Sequence, residues 1–193
     1  MPNDHIFNSA KKPLQQLQLN TYQSPSAAAP TEASASQAGR LFTAGATNSA
    51  TLGLLGGSSI ITIQLTNPAG SERTAYISRI SGGINVSLSL LSSFTGSMTI
   101  SRNGTLTGPT TLTASNLNFA SSNSSLMTVR SSTSASTGGT SILSMPLAPG
   151  PLEYNEFGDF IIPPGQSFSI TISGALSVAG VLASTANLVF WEV

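Results

Sequence analysis

The chain has 193 residues, of which only 7% are charged, and its seven basic and seven acidic residues cancel to a formal net charge of zero. This balance argues against a nucleic-acid partner, because nucleic-acid binding needs a basic face, and weak charge repulsion favours association between copies. The chain has no cysteine, which excludes disulfides and thiol chemistry.

Residues 1–38 are predicted to form an amino-terminal connector arm with a flexible spacer. Residues 17–22 alternate apolar and polar side chains as a β-strand does, and residues 23–37 consist mainly of Ser, Ala, Pro and Thr, as flexible tethers do. The apolar side chains of the arm are the predicted contacts with neighbouring subunits: Ile6, Phe7, Leu14, Leu17, Leu19 and Tyr22.

The amino terminus lacks the basic and apolar regions of a secretory signal, so we expect synthesis in the cytoplasm without a signal peptide. No apolar run approaches the ~20 residues of a membrane helix, and we therefore expect no membrane partner.

Residues 39–193 are predicted to form one all-β domain, a single antiparallel jelly roll or β-sandwich that carries the extended arm. Short β-prone runs are separated by Gly, Pro, Asn and Ser, and no segment has the apolar spacing and caps of a helix. The predicted strands cover residues 41–44, 59–66, 74–80, 84–91, 97–101, 110–117, 126–131, 141–146, 159–162, 167–173 and 187–193.

Several of these strands alternate apolar side chains with hydroxyls, which is the pattern of a strand with one buried face. Residues 61–65 and 168–172 show this alternation most clearly. The side chains predicted to point into the core are Ile61, Ile63, Leu65, Phe168, Ile170, Ile172, Leu188 and Phe190.

Turn residues punctuate the strands. Residues 67–70 and 102–105 predict tight turns, the second through an Asn-Gly pair that tolerates positive φ. Residues 163–166 are predicted to turn a corner between two strands. Residues 53–57 lack the Lys-Ser/Thr of a phosphate-binding loop, so they are also predicted to be a turn. The Ser-rich segments predicted to be exposed loops are 118–125 and 131–139.

Candidate catalytic and metal-ligating residues are few. The single histidine, His5, lies in the arm away from any ionisable cluster, so no serine has a base to activate it, and we expect neither an enzyme nor a cofactor. Glu153, Glu156 and Asp159 form the one acidic cluster. They are candidates for a Ca²⁺ site or a glycosidase pair, but their spacing matches no calcium loop. This favours a solvated loop between Pro151 and the strand at Phe160 that pairs with an arginine across an interface.

The carboxy-terminal sequence resembles a known family. Residues 160–172, FIIPPGQSFSITI, lead to a final segment, NLVFWE, at residues 187–192. A Pro-Gly-led strand followed by a strand ending in aromatic-aromatic-Glu resembles the ends of small jelly-roll proteins of bacterial spore surfaces and of some phage virions. With the polar connector, the chain most resembles subunits of endospore appendages, fibres of stacked jelly rolls in which the leader of one subunit plugs into another.

The resemblance implies a homopolymer. The best-known appendage subunits crosslink their fibre through leader cysteines, which this chain lacks. We therefore expect a self-assembling structural subunit of an extracellular or spore-surface filament, held by β-strand complementation through the arm and by packing. Its partners would be other copies of itself, with no nucleic acid and no small-molecule substrate, and its final location the spore or cell surface.

Two alternatives stay open. The first is a structural protein of a phage or virus capsid or fibre head, located in the virion. The second is a carbohydrate-binding β-sandwich, for which an aromatic pair such as Phe190 and Trp191 would stack on sugar; in a terminal strand such a pair more often fills the core. A carbohydrate-binding module should present exposed aromatic side chains on one face.

Overall fold

Alternation of apolar and hydroxyl side chains produces long antiparallel strands in this chain. A computed structural model describes residues 31–88, 93–155 and 158–193. Its elements are α1 (Thr31–Gln37), β1 (Leu41–Leu52), β2 (Gly57–Thr66), β3 (Ala75–Leu88), β4 (Phe94–Arg102), β5 (Thr110–Leu112), β6 (Ser115–Asn116), β7 (Thr128–Ser132), β8 (Thr140–Pro146), β9 (Gly150–Asn155), β10 (Ile161–Ile162), β11 (Ser167–Leu176) and β12 (Gly180–Glu192).

The strands form two antiparallel sheets packed as a sandwich. The first sheet has the order β9-β3-β12-β1, with β10 beside β3 and β6 beside β1. The second has the order β5-β7-β2-β11-β4-β8. Strands β1, β12, β3 and β9 thus face β2, β11, β4 and β8, which is the arrangement of a jelly roll. The predicted all-β fold class is confirmed.

The core lies between the two sheets and matches the sequence prediction. All eight side chains predicted to point inward are exposed by 2% or less. Strands β2 and β11 pair so that Phe168 lies opposite Leu65 and Ile170 lies opposite Ile63. Because side chains on a strand alternate between faces, this register places every second residue of β2 and β11 in the core.

Strand β3 departs from the sequence prediction of two strands at 74–80 and 84–91. A single strand crosses Gly82 and Gly83, which lie between the two predicted strands. A Cβ on Gly82 would lie 2.0 Å from the Thr185 carbonyl oxygen, and one on Gly83 would lie 2.2 Å from the Gly150 carbonyl oxygen. The glycines therefore allow close approach of the strands on either side, and they do not interrupt β3. Residues 89–92 lie outside the described residues.

Two segments predicted to be irregular have regular structure. The segment between Pro151 and Phe160 is predicted to be a solvated loop, but Gly150–Asn155 form the edge strand β9, where proline is tolerated. Residues 31–37, predicted to belong to the spacer, form helix α1. Gly39, with φ of 64°, ends this helix, and the Arg40 N–H donates to the Ala35 carbonyl at 2.9 Å. Glu32 of α1 also accepts a hydrogen bond from the Ser78 hydroxyl at 2.7 Å, which fixes the helix to β3.

The hydroxyl face of the second sheet is buried, although the alternation predicted that it would face solvent. Thr62 is fully buried and its hydroxyl lies 2.9 Å from that of Thr171 and 2.8 Å from the Ser134 carbonyl oxygen. Gln64 donates to the Gly104 carbonyl at 2.7 Å. Segments 104–109 and 133–138 therefore cover this face and supply the hydrogen bonds that its polar side chains need.

The predicted turn at residues 163–166 is confirmed by its hydrogen bond and backbone angle. Gln166 N–H donates to the Pro163 carbonyl at 3.2 Å, and Gly165 has φ of 80°, as the third position of a type II turn requires. Asn103 has a positive φ of 55°, but its N–H donates to the Ser167 carbonyl at 3.0 Å, so residues 102–105 form a bend and not the predicted hydrogen-bonded turn. The Gly165 N–H donates to the Asn67 carbonyl at 2.8 Å, so the 163–166 corner is tied to the turn after β2.

Replacement of Phe168 by alanine is expected to lower the free energy of unfolding by roughly 3–5 kcal/mol, because a buried aromatic ring leaves a cavity. Phe168 is 2% exposed and its ring centroid lies 5.3 Å from that of Phe160. Urea denaturation measures the loss. The matched control, Phe119→Ala, removes a ring that is 97% exposed and should change stability by less than about 0.5 kcal/mol. Equal stabilities for the two variants would contradict the assigned register of β11.

Candidate functional site

The predicted subunit-interface residues belong to the arm. Ile6, Phe7, Leu14, Leu17, Leu19 and Tyr22 lie outside the described residues, as does His5. The surfaces that would receive an arm must therefore be sought on residues 31–193.

The acidic cluster is not assembled as a metal site by the residues that the structure describes. Glu153 is exposed on β9, and its Oε1 lies 4.0 Å from Arg79 Nη1. Asp159 is exposed, and Glu156 lies outside the described residues. Within the described ranges no three His, Cys, Asp or Glu side chains are grouped to hold a metal ion. Glu153 thus pairs weakly with an arginine of its own chain.

Glu192 is a buried carboxylate that the sequence analysis noted only as part of the family resemblance. It is fully buried, and its Oε2 accepts hydrogen bonds from Arg73 Nη1 at 3.1 Å and from the Leu126 N–H at 3.3 Å. Its Oε1 accepts from the Ser125 hydroxyl. Glu192 therefore ties two connections of the chain to the end of β12, and its role is structural.

The aromatic pair of the last strand is divided between the core and the surface. Phe190 is fully buried in the core, as the core-filling interpretation predicted. Trp191 points to the outer face, where its ring stacks on Tyr76 with centroids 4.3 Å apart and an interplanar angle of 11°. Among the described residues, Phe119 is the one strongly exposed aromatic side chain, and it lies alone on a loop. An aromatic platform for sugar is not formed there.

A broad groove of about 1100 Å³ lies along β3, β9 and β12. Its lining includes Gly82, Gly83, Gly150 and Ala183, so much of its surface is backbone. Glu153 is its one ionisable side chain. General acid–base chemistry needs a second, oriented proton-transfer group, and this groove supplies none.

Three of the four sheet edges carry features that block further strand pairing. Strand β8 has an extra residue, Ile142, in its register with β4 and ends in Pro146. Strand β9 contains Pro151 and Glu153, and β5 is only three residues long. Bulges, prolines, charges and short strands are the devices by which proteins protect sheet edges.

The fourth edge, that of β1, has none of these devices over residues 44–52. All twelve residues of β1 pair with β12, but on the other side only Phe42 and Thr43 pair, with the short strand β6. Beyond them no described strand covers the edge, and residues 44–52 include neither proline nor a charge. One backbone group in this stretch, the Asn48 carbonyl, accepts a hydrogen bond from the Ser59 hydroxyl at 3.3 Å. A strand edge of this length that no other described strand pairs is a site for an added strand.

The side chains beside this open edge are small. The inward-facing residues of β1 after Phe42 are Ala44, Ala46, Asn48, Ala50 and Leu52, and the last four are only partly buried. Asn48 donates to the Ile60 carbonyl at 2.9 Å and so closes the gap between the sheets with a polar group. Apolar side chains of an added strand would find room beside the alanines.

Comparison with protein-family models, curated proteins and solved structures found no match to this chain. Among the described residues, no helix has both the length and the apolar character needed to cross a membrane.

Replacement of Glu192 by glutamine is expected to lower the free energy of unfolding by about 2–3 kcal/mol. The amide N–H of glutamine would face the donors that surround Glu192, and Arg73 would lose its counter-charge. Because Arg73 is partly exposed, the expected loss of stability is smaller than for a fully buried ion pair. The matched control is Glu153→Gln, whose exposed pairing should be worth no more than about 0.5 kcal/mol. Chemical denaturation at neutral pH measures both, and a Glu192 variant as stable as the control would refute the structural role.

Proposed function

We propose that this protein is a self-assembling structural subunit of an extracellular or spore-surface filament. In this proposal the arm of one copy adds a strand to the open edge of β1 in the next. The observation that supports it is the unprotected edge at residues 44–52 in a domain whose other edges are protected.

Backbone hydrogen bonding provides the attraction. An unpaired strand edge presents alternate N–H and C=O groups that an extended segment can satisfy, and side-chain pockets then select the segment. Leu17 and Leu19 of the arm are two residues apart, so on a strand they share one face. On an added strand that face would lie against two inward-facing residues of β1 that are also two apart, such as Ala44 and Ala46.

The reach of the arm limits which edge it can use. Helix α1 is bonded to the domain through Glu32, so the connection available to the arm is residues 23–30. Eight residues span at most roughly 30 Å when fully extended. The receiving edge must therefore belong to a copy that is in direct contact with the donor.

The jelly-roll topology supports the resemblance to endospore-appendage subunits, because stacked jelly rolls are what that resemblance implies. It equally suits the second candidate, a capsid or fibre-head protein, since viral capsid domains share this architecture. Electron microscopy of the assembled protein separates a filament from a closed shell. No observation favours the carbohydrate-binding alternative, since the described surface lacks a group of exposed aromatic rings.

Replacement of Leu17 and Leu19 by serine in the full chain is expected to raise the critical concentration for assembly at least about 100-fold. Each leucine buried at the interface contributes roughly 1.5–3 kcal/mol, and about 1.4 kcal/mol corresponds to a factor of ten. Sedimentation of assembled protein over a concentration series measures the effect, with negative-stain microscopy to identify the product.

The matched control replaces Gln18 and Asn20 by serine, since these residues would face away from the domain on the same strand. The control should assemble at the wild-type concentration. Equal assembly of the two double variants would rule out the strand register, and assembly of a chain that lacks residues 1–22 at the wild-type concentration would rule out the arm. A wild-type protein that stays monomeric at all concentrations would refute self-assembly itself.

A further inference from the structure

One end of the jelly roll carries no charge in its described connections. Residues 53–56, Ser93, 147–149 and 177–179 lie there, and none of them is Asp, Glu, Lys, Arg or His. The Ser177 N–H donates to the Ser93 carbonyl at 3.1 Å, which joins two of them. Residues 89–92 are outside the described ranges. This surface is called the uncharged end below, and burying it would desolvate no ionised group.

Two leucines project from the uncharged end. Gly56 N–H donates to the Gly53 carbonyl at 2.9 Å, so Leu54 and Leu55 occupy the centre of a tight turn. Their side chains are 87% and 97% exposed. The turn requires one residue in the left-handed conformation, and Gly56, with φ of 71°, supplies it. The turn therefore does not require leucine at either of its two central positions. Turn centres usually hold polar or flexible residues, and exposed apolar pairs are typical of contact sites.

The opposite end has an apolar groove of about 580 Å³, called the terminal groove. Ile142, Ile161, Phe160 and Pro163 contribute to its lining, and the two isoleucines are 49% and 56% exposed. Strand β11 separates the two features: Leu176 pairs with Gly57 beside the leucine turn, while Ser167 lines the groove. At about 3.4 Å per residue, the ten residues of β11 place them roughly 30 Å apart.

We propose that Leu54 and Leu55 of one copy insert into the terminal groove of a second copy, so that subunits stack head to tail. The inference rests on the proposed self-assembly and names its second contact. A contact between two leucine turns would close a symmetric dimer and leave both grooves empty. Head-to-tail stacking instead fills both features on every copy and continues without end.

The charges favour this pairing. The terminal groove contains Arg102 and Asp159, which carry opposite charges, and the leucine turn carries none. Insertion therefore brings no like charges together, and any charge that stays at the groove rim retains its contact with water.

The same arrangement brings the arm to the open edge of β1. Glu32 of α1 is bonded to Ser78, and the neighbouring Ile77 N–H donates to the carbonyl of Phe160, which lines the terminal groove. Helix α1, which follows the arm in the sequence, is therefore held near the groove end. Strand β1 runs into the leucine turn, so a copy inserted in the groove presents its open edge beside the arm of the receiving copy.

The leucine contact alone is weak. Burial of two leucines strengthens association by roughly 100- to 10,000-fold, which by itself corresponds to about a millimolar complex. Combined with strand addition in the same pair of copies, it multiplies the effective affinity, because the second contact then forms within an existing complex.

The absence of cysteine permits a direct test. Leu55→Cys and Ile161→Cys are made as separate single variants of the full chain, mixed in equal amounts and oxidised under mild conditions. The expected product is a disulfide-linked dimer of one Leu55 variant and one Ile161 variant, identified by mass spectrometry, with little product from either variant alone. Phe119→Cys, at a position 97% exposed, is the control for random collision and should not crosslink efficiently to either partner.

Three results would overturn the proposal: no mixed disulfide above the Phe119 control, predominant Leu55–Leu55 disulfides, or predominant Ile161–Ile161 disulfides. The wild-type assembly assay is independent of this outcome. Assembly of the wild type without the mixed disulfide would refute head-to-tail insertion and leave strand complementation standing. The mixed disulfide in a protein that forms no polymer would establish the contact and refute the filament.

Discussion

The packing of two sheets through their inner faces is the interaction on which the rest of this structure depends. Phe190 and Leu188 of one sheet and Ile63 and Ile170 of the other are fully buried. Because the chain has few charges and no disulfide, this burial is its main source of stability. Register cannot slip by one residue without turning the apolar side chains of a strand to the opposite face.

A sandwich of two open sheets has unpaired edge strands, and these edges differ in whether they carry features that block further strand pairing. Edges at β8 and β9 have a bulge, prolines or a charge, whereas β1 has nine residues, 44–52, with no such feature. Small inward-facing side chains such as Ala46 and Ala50 make β1 suited to receive a strand. Protection of all edges but one is consistent with selection for one strand partner and against unspecific pairing.

The sequence predicts the inward face well and the long-range contacts poorly. Alternation in β2 and β11 sufficed to identify Ile63 and Phe168 as core residues, because the pattern is local. The continuity of β3 through Gly82 depends on how closely β12 approaches, and the role of Glu192 depends on Arg73, which is 119 positions away. The open edge was likewise beyond sequence analysis, since it depends on which strand finishes at the side of the sheet.

The two ends of the domain differ in charge and in apolar surface, so the domain is polar along its long axis. The described connections at one end carry no charge, and Leu54 and Leu55 project there, whereas Arg102 and Asp159 lie at the other end beside an apolar groove. A domain that associated through only one self-complementary end would stop at a symmetric dimer. Two different ends allow repeated addition in one direction, and in the proposed assembly the arm of one copy adds its strand across the same junction.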